Sequence, residues 1–138
     1  MKESVLKFLE GHKVGRLGTA DASGKPHVVP ICYAATESRV YSVIDEKPKS
    51  VAQDKLKRIR NIRANPQVCL TVDEYSDDWS QLGFVMVHGV ASIIYSGSEH
   101  ESAAELLRNR YRQYVGMDMT NRPILTITPE RIVTWGRV

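Results

Sequence analysis

The sequence lacks long hydrophobic runs, an apolar leader and paired cysteines. No apolar run approaches the roughly 18 residues that a membrane-spanning helix needs, and the amino terminus has no apolar stretch of the signal-peptide type. We therefore predict no membrane partner and a cytoplasmic location. Cys32 and Cys69 lie in separate apolar runs without C-x-x-C spacing, which predicts free thiols and no zinc site.

Recognisable catalytic motifs are also missing. The four histidines are scattered and show neither H-E-x-x-H nor i, i+4 spacing, so we predict no metal site. The chain has no G-x-G-x-x-G, no G-x-x-x-x-G-K-[ST] and no visible nucleophilic triad. Such a protein either relies on a cofactor for its chemistry or only binds a ligand.

Length and composition are those of an ordinary globular domain. With 138 residues, 42% hydrophobic and 25% charged, we predict a single domain over residues 1–138. Strand-type runs follow one another with turns between neighbours, as in the two runs flanking Asp21–Lys25. This order predicts a mainly β fold, an antiparallel barrel of about six strands with peripheral helices.

Three segments have helical patterns. The first is Met1–Gly11, and the second lies before Asn65-Pro66 with capping-box spacing at Ser50 and Gln53. The third opens on a capping box at Ser98–Glu101 and should continue to Gly116. After it, the terminal run PILTITPERIVTWGRV predicts a strand or strand pair bent at its second proline.

The strongest functional signal is the basic segment, residues 47–63. It holds seven basic side chains and one acid, a local balance of +6 in a chain whose net charge is +3. Because like charges this dense repel one another, an anion stabilises them. A solvated helix face is the alternative interpretation. Nucleic acid is a poor partner, since aromatic residues do not interleave with the charges, and we predict a phosphate.

The runs VGRLGTADASGKPHVVPICYA, RVYSVIDEKPKS and KLKRIRNIRANPQVCLTVDEY, taken in order, resemble the pyridoxamine 5′-phosphate oxidase-like split β-barrel superfamily. Within it the chain is most similar to the branch of coenzyme F420-dependent oxidoreductases. The resemblance spans Val14 to Trp135 and implies a homodimer with two cofactor sites at the subunit interface.

The resemblance also implies cofactor-binding residues. The backbone of three residues on the second strand would lie against the cofactor ring, and two residues at the end of the third strand would line the pocket. Two lysines at the corner after that strand would reach the phosphate or the acidic tail of F420, and a basic pair on the following helix would hold the phosphate. In that order these residues are Val28, Val29, Pro30, Ser42, Val43, Lys47, Lys49, Lys57 and Arg58. Tyr33, Tyr75 and Trp79 are weaker candidates for the substrate side.

The sequence departs from the vitamin B6 oxidases of this superfamily. Those enzymes carry an R-Q-x-R-x-x-G strand and an arginine-rich carboxyl terminus, whereas this chain has Gly83–Gly89 as GFVMVHG and ends TWGRV. We therefore expect an F420-dependent oxidoreductase that transfers a hydride between the reduced deazaflavin and a small conjugated substrate. The alternatives are an FMN-dependent reductase or oxidase, and a protein that only binds a flavin or tetrapyrrole.

Overall fold

The computed structural model describes residues 1–44 and 53–138, without the side chains of 53–56. This part of the chain forms seven strands and three α-helices. The strands are β1 (Val14–Ala20), β2 (Pro26–Cys32), β3 (Ala34–Ala35), β4 (Val40–Val43), β5 (Gln67–Glu74), β6 (Gly83–Ile94) and β7 (Ile124–Gly136); the helices are α1 (Glu3–Glu10), α2 (Gln53–Ala64) and α3 (Ser98–Arg110).

The strands make one antiparallel sheet in the order β2-β1-β5-β6-β7-β4-β3. β2 and β3 lie at opposite ends of this order, although only Tyr33 separates them in sequence. The sheet must therefore curl until its two ends meet. Ser42 on β4 reinforces the junction, because its hydroxyl donates to the carbonyl of Cys32 at 2.7 Å. The predicted antiparallel barrel is confirmed, and its count of about six holds if β2 and β3 are taken as one interrupted strand.

The first hairpin is the one that the sequence predicts. β1 pairs with β2 over its whole length, from Val14–Cys32 to Ala20–Pro26. The carboxylate of Asp21 accepts hydrogen bonds from the backbone amides of Ser23 and Lys25 at 2.9 Å, and Gly24 takes the positive φ of 88° that the turn requires. These contacts fix the register of the β1–β2 pair, and this register positions residues of the candidate site.

β7 is a single strand, and its irregularity lies where the sequence predicts a bend. Pro129 pairs with Gly89, whereas Arg131 pairs with His88, so Glu130 is the extra residue of a bulge. Gly89 permits the close approach of the two strands, because a Cβ there would lie 2.3 Å from the carbonyl oxygen of Thr128. Proline has no amide to contribute to the ladder, so a bulge is a tolerated position for it.

Two apolar clusters hold these elements together. The larger fills the barrel with alternate residues of its strands, including Leu17, Leu70 and Val85, and receives α1 through Leu9. The smaller lies between α3 and the outer side of β3, β4 and the start of β7. Each buried aliphatic side chain of this kind contributes about 1.5–3 kcal/mol.

The helix that begins at Ser98 is shorter than predicted. It ends at Arg110 rather than Gly116, and the separate 3₁₀ turn Arg112–Tyr114 follows. Its N-cap is Gly97, with no side-chain capping bond, so the predicted capping box does not form. The helix stops because Tyr111 takes an extended backbone (φ −124°, ψ 121°), which brings its hydroxyl to the carbonyl oxygens of Lys13 and Tyr33 at 2.7 and 2.6 Å.

Arg110 ties α3 to α1. Its guanidinium donates to the carbonyls of Leu9 (3.0 Å), Glu10 (2.9 Å) and Tyr33 (2.8 Å), and also to that of His12. The last carbonyls of an α-helix have no partner within the helix, and a cation at this end also interacts favourably with the helix dipole. Arg110 therefore closes the end of α1 and holds the β2–β3 junction.

Replacing Arg110 by Ala should lower the free energy of unfolding by about 3 kcal/mol, because several partly buried carbonyls would lose a charged donor. Urea denaturation followed by circular dichroism measures the change. Arg112→Ala, an exposed arginine two residues on, is the matched control and should change stability by less than about 0.5 kcal/mol. Equal stability of the two variants would contradict the role assigned to Arg110.

Stability at alkaline pH should depend on Tyr41. This residue is 7% exposed, and burial, together with the hydrogen bond from its hydroxyl to Glu99 (2.9 Å), raises its pKa to about 12. Between about pH 10 and 12 the unfolded chain has released this proton and the folded chain has not, so stability falls as pH rises.

Comparing wild type with Tyr41→Phe from pH 8 to 12 isolates this contribution. The wild type should lose about 2 kcal/mol more than the variant between pH 10 and 12, measured by denaturant unfolding at fixed ionic strength. Parallel curves above pH 10 would show that the Tyr41 hydroxyl does not retain its proton in the folded state.

Candidate functional site

A row of residues crosses four strands on the outer face of the barrel. The register places Val28 of β2 beside Gly18 of β1, Gly18 beside Cys69 of β5, and Cys69 beside His88 of β6. Val28 is 64% exposed, and Gly18 has no side chain to rise above the backbone. The Cys69 sulfur lies 3.9 Å from Nε2 of His88. The row therefore has a flat apolar end formed by Val28 and Gly18, which we call the outer shelf. Its other end, on β5 and β6, carries the thiol–imidazole pair.

Next to this row, β1 and β5 separate. They pair from Arg16–Thr71 to Gly18–Cys69 and no further, although β1 continues to Ala20 and β5 has already begun at Gln67. A hollow of about 290 Å³ occupies the gap, and we call it the β1–β5 cleft. Its lining is Gly18, Thr19, Ala20, Gln67, Val68, Cys69 and His88.

α2 is fastened to the edge of this cleft. The amide nitrogen of Asn61 donates to the hydroxyl of Thr19 at 3.1 Å, and both side chains are buried. Asn61 is four residues after Lys57 and three after Arg58, so all three lie on one side of the helix. Lys57 is partly buried and Arg58 is 6% exposed. The sequence-predicted basic pair therefore lies on the barrel-facing side of α2, one turn from the residue that anchors the helix.

A guanidinium as enclosed as that of Arg58 has lost most of its hydration, which is costly unless acceptors or negative charge surround it. Arginine is also the side chain best suited to phosphate, because its donors form a planar fork. Lys57, the preceding residue of the same helix, adds a second positive charge. This arrangement is chemically suited to hold a phosphoryl group against the barrel.

His27 joins this polar group from β2. It pairs with Thr19, and side chains of paired residues in an antiparallel sheet point to the same face. Its Nε2 is buried and has no hydrogen-bond partner among the described residues. No motif in the sequence singles out this histidine. The alternation of side chains along β2 predicts that His27 lies on the same face as Val29 and Ile31. The sequence does not predict that α2 lies near this face, because that depends on the tertiary structure.

The other residues predicted on β2 and β4 are distributed over both faces. Val28 and Pro30 are exposed on the outer face, and Val29 packs partly against the barrel core. Ser42 is buried at the barrel closure, and Val43 is 3% exposed beneath α3. Ser42 and Val43 thus contribute little side-chain surface within this protomer. Lys47 and Lys49, with the predicted capping serine at 50, lie outside the described residues.

The three aromatic candidates for the substrate side are separated. Tyr33 has no exposed surface, and its hydroxyl lies 2.7 Å from the carbonyls of both Leu9 and His12, contacts that belong to a core residue. Tyr75 and Trp79 are 68% and 75% exposed. Their loop is ordered by Asp78, whose carboxylate accepts from the amide and hydroxyl of Ser80. Trp79 is thus exposed to solvent on a turn that the hydrogen bonds of Asp78 stabilise.

The Cys69 thiol is not poised as a nucleophile. Burial raises its pKa, and the smaller effects of Thr71 and Arg131 do not reverse the shift, so the thiol keeps its proton at neutral pH. Both cysteines are free and half-buried, as the sequence predicts. Among the described residues no three of histidine, cysteine, aspartate and glutamate come together as a metal site.

The outer face of β6 and β7 carries an apolar patch, formed by Phe84, Met86, Val133 and Trp135, of which Trp135 is exposed and the other three are half-buried. The rings of Phe84 and Trp135 stack with their centroids 5.8 Å apart, and Trp135 is 54% exposed. Met86 and Val133 are paired neighbours on the two strands. A partly exposed apolar cluster that contains a tryptophan is typical of an interaction surface.

Other hollows lie elsewhere. One of about 420 Å³ is lined by residues of the amino terminus, the β3–β4 turn and the β7 bulge. No helix in the described parts of the chain is long and apolar enough to cross a membrane.

Comparison with known proteins adds a family and several relatives. A sequence profile described as pyridoxamine 5′-phosphate oxidase matches residues 1–136. The 5a,11a-dehydrotetracycline/5a,11a-dehydrooxytetracycline reductase of Streptomyces rimosus is 27% identical over 132 residues, which are 95% of this chain and 80% of the relative.

Solved structures share the fold. An FAD-binding protein of Mesorhizobium loti superposes with a TM-score of 0.70 at 24% identity, over 97% of this chain and 94% of that one. The heme storage protein HutZ of Vibrio cholerae gives 0.72 at 19% identity, over 96% and 92%. At these identities the similarity concerns the fold alone.

Proposed function

Because the chain belongs to the pyridoxamine 5′-phosphate oxidase family, with its split β-barrel fold, we propose that it is an F420-dependent oxidoreductase acting on a small conjugated molecule. The coenzyme, when bound, supplies or accepts the hydride. The protein supplies binding, orientation and exclusion of water. FMN in the same position is the alternative cofactor.

The observation that carries this proposal is the enclosed basic pair of α2 beside the β1–β5 cleft. Lys57 and Arg58 would hold the coenzyme phosphate by charge-assisted hydrogen bonds, each of them worth about 1.5–3 kcal/mol. Their helix is fixed to β1 through Asn61 and Thr19, so the charges are held in place before the ligand arrives. Such preorganisation lowers the entropy cost of binding.

The exposed edge of β2 would receive the ring. Its outer residues, Val28 and Pro30, present apolar surface beside the flat position of Gly18, and we assign the ring contacts to the backbone of Val28, Val29 and Pro30. Ser42 and Val43 would line the pocket through their backbone, since their side chains are buried. Tyr75 and Trp79 remain candidates for the substrate side.

Two features favour F420 over FMN. The basic segment has more positive charge than one phosphate needs, and an acidic coenzyme tail reached by Lys47 and Lys49 would use the surplus. The Streptomyces rimosus relative is a reductase of a dehydro compound, which fits hydride addition to an unsaturated substrate. A vitamin B6 oxidase is not proposed, because β6 carries Gly83–Gly89 without the polar side chains of that activity.

A second candidate function is storage or transport of a tetrapyrrole without catalysis. Histidine and cysteine are both heme-iron ligands in other proteins, and His88 and Cys69 lie side by side on the partly open outer face. A heme storage protein also shares the fold. Titration with hemin tests this reading, and a Soret shift lost in His88→Ala would support it.

Titration of the purified protein with F420 and with FMN tests the main proposal, using fluorescence at fixed salt. We expect F420 to bind more tightly, and Lys57→Ala combined with Arg58→Ala to weaken its binding by about 3–6 kcal/mol at most. The control is Arg60→Ala, an exposed arginine of the same helix two residues from Arg58 and therefore on another side.

The control should bind F420 within about threefold of wild type, allowing for weak screening of exposed charge. Undiminished affinity in the double variant would remove the phosphate assignment. Tighter binding of FMN than of F420 would replace the proposed cofactor with its alternative, and saturable binding of neither would exclude an F420- or FMN-dependent enzyme.

We also propose a homodimer, as the family implies, and we assign its interface to the apolar patch on β6 and β7. Light scattering should give twice the chain mass of 15.5 kDa. Val133→Glu would bury a charge at such an interface and should give monomers, since an unpaired buried carboxylate costs several kcal/mol. Val115→Glu is the matched control, because Val115 is 68% exposed and lies after α3, off the patch. A monomeric wild type would rule out the shared-site arrangement.

A further inference from the structure

His27 differs from the other enclosed histidines of the chain. His12 uses both ring nitrogens, with Nδ1 at 2.7 Å from the carbonyl of Phe8 and Nε2 at 2.8 Å from the carboxylate of Glu74. His100, which is 4% exposed, has Nε2 at 2.7 Å from the carbonyl of Arg122. The buried Nε2 of His27 has no such partner among the described residues. A buried polar atom left in this state is destabilising, so it calls for an explanation.

The position of His27 suggests that explanation. Its register partner Thr19 is 5% exposed and bonded to Asn61 of α2, so the ring faces the side of the barrel to which α2 is attached. Arg58 lies one turn before Asn61 on the same side of that helix and is 6% exposed. The core cluster that fills the barrel is otherwise made of apolar side chains, with Tyr33 among them. Polar groups from β1, β2 and α2 therefore converge at this end of the barrel.

The surrounding charge defines the kind of ligand. Arg58 and Lys57 supply positive charge and donors, and Thr19 and Asn61 already bond to each other. A ring nitrogen added to this group is most useful as one more donor to an anionic oxygen. Phosphoryl oxygens accept several hydrogen bonds at once, so they can engage donors that arrive from different elements.

We propose that Nε2 of His27 donates a hydrogen bond to the phosphoryl group of the coenzyme, making β2 the second wall of an oxyanion site whose first wall is α2. This inference rests on the proposed function and extends it to a residue outside the basic segment. The two faces of β2 then have different roles. Its outer residues support the ring, and His27 on the inner face donates a hydrogen bond to the phosphate.

A comparison of FMN with riboflavin, which has the ring without the phosphate, tests the contact. His27→Phe keeps the ring volume and removes both nitrogens. It should weaken FMN and F420 about ten- to hundred-fold, the equivalent of one charged hydrogen bond, and leave riboflavin affinity unchanged. His27→Gln, whose amide nitrogen can reach the position of Nε2, should restore most of the affinity. Equal losses for FMN and riboflavin, or no loss for either, would overturn the proposal.

The ligand-free protein provides a second readout. Because His27→Phe removes an orphaned polar atom, its melting temperature should equal or exceed that of wild type. His12→Phe is the matched control: it breaks two partnered contacts at the other end of β5, so it should lower the melting temperature and leave the FMN affinity of the folded protein unchanged. A marked loss of stability in His27→Phe would make His27 a structural residue.

Failure of the proposed function can be separated from failure of this inference. The imidazole resonances of the four histidines can be followed by NMR while inorganic pyrophosphate is added, with that of His27 assigned by its loss in His27→Gln. A saturable shift of the His27 resonance, with His12 unmoved, supports the oxyanion site even if neither coenzyme binds. An unmoved His27 resonance overturns the inference even if F420 proves to be the coenzyme.

Discussion

Closure of the sheet at Tyr33 is the constraint on which the other features depend. One residue joins β2 to β3, so the first and last strands of the sheet must meet, and the junction is held from inside by Ser42 and from outside by Arg110 and Tyr111. These bonds also terminate α1 and α3. A barrel closed in this way brings the β1–β2 hairpin to a fixed place, and the outer shelf and inner polar group of β2 follow from it.

The candidate site arises where the barrel is least regular. β1 and β5 separate beyond Gly18 and Cys69, and α2 covers their ends through the bond from Asn61 to Thr19. The buried Nε2 of His27, which has no hydrogen-bond partner among the described residues, is unfavourable for a protein without a ligand. Local departures of this kind are common at binding sites, because a group that is unsatisfied in the free protein can gain a partner from the ligand.

Much of the fold could be predicted from local patterns. The Asp21–Lys25 turn, the helix stop at Asn65-Pro66 and the irregularity at Pro129 follow from turn and proline chemistry, and each lies where it was expected. The predicted end of α3 was wrong by several residues. Tyr111 takes an extended backbone instead of continuing the helix, and its hydroxyl donates to the carbonyl oxygens of Lys13 and Tyr33. Only the folded chain brings these partners together, so no local pattern could predict that break.

The sequence by itself determined the antiparallel barrel, the hairpin and the basic helix, since side-chain periodicity, turn residues and charge are properties of neighbouring positions. Tertiary structure alone decided that Arg58 is enclosed, that Tyr33 belongs to the core, and that His27 lies on the same side as α2. The physical reason is that burial and hydrogen-bond satisfaction depend on residues distant in sequence, as the sequence separation of 42 between Thr19 and Asn61 illustrates.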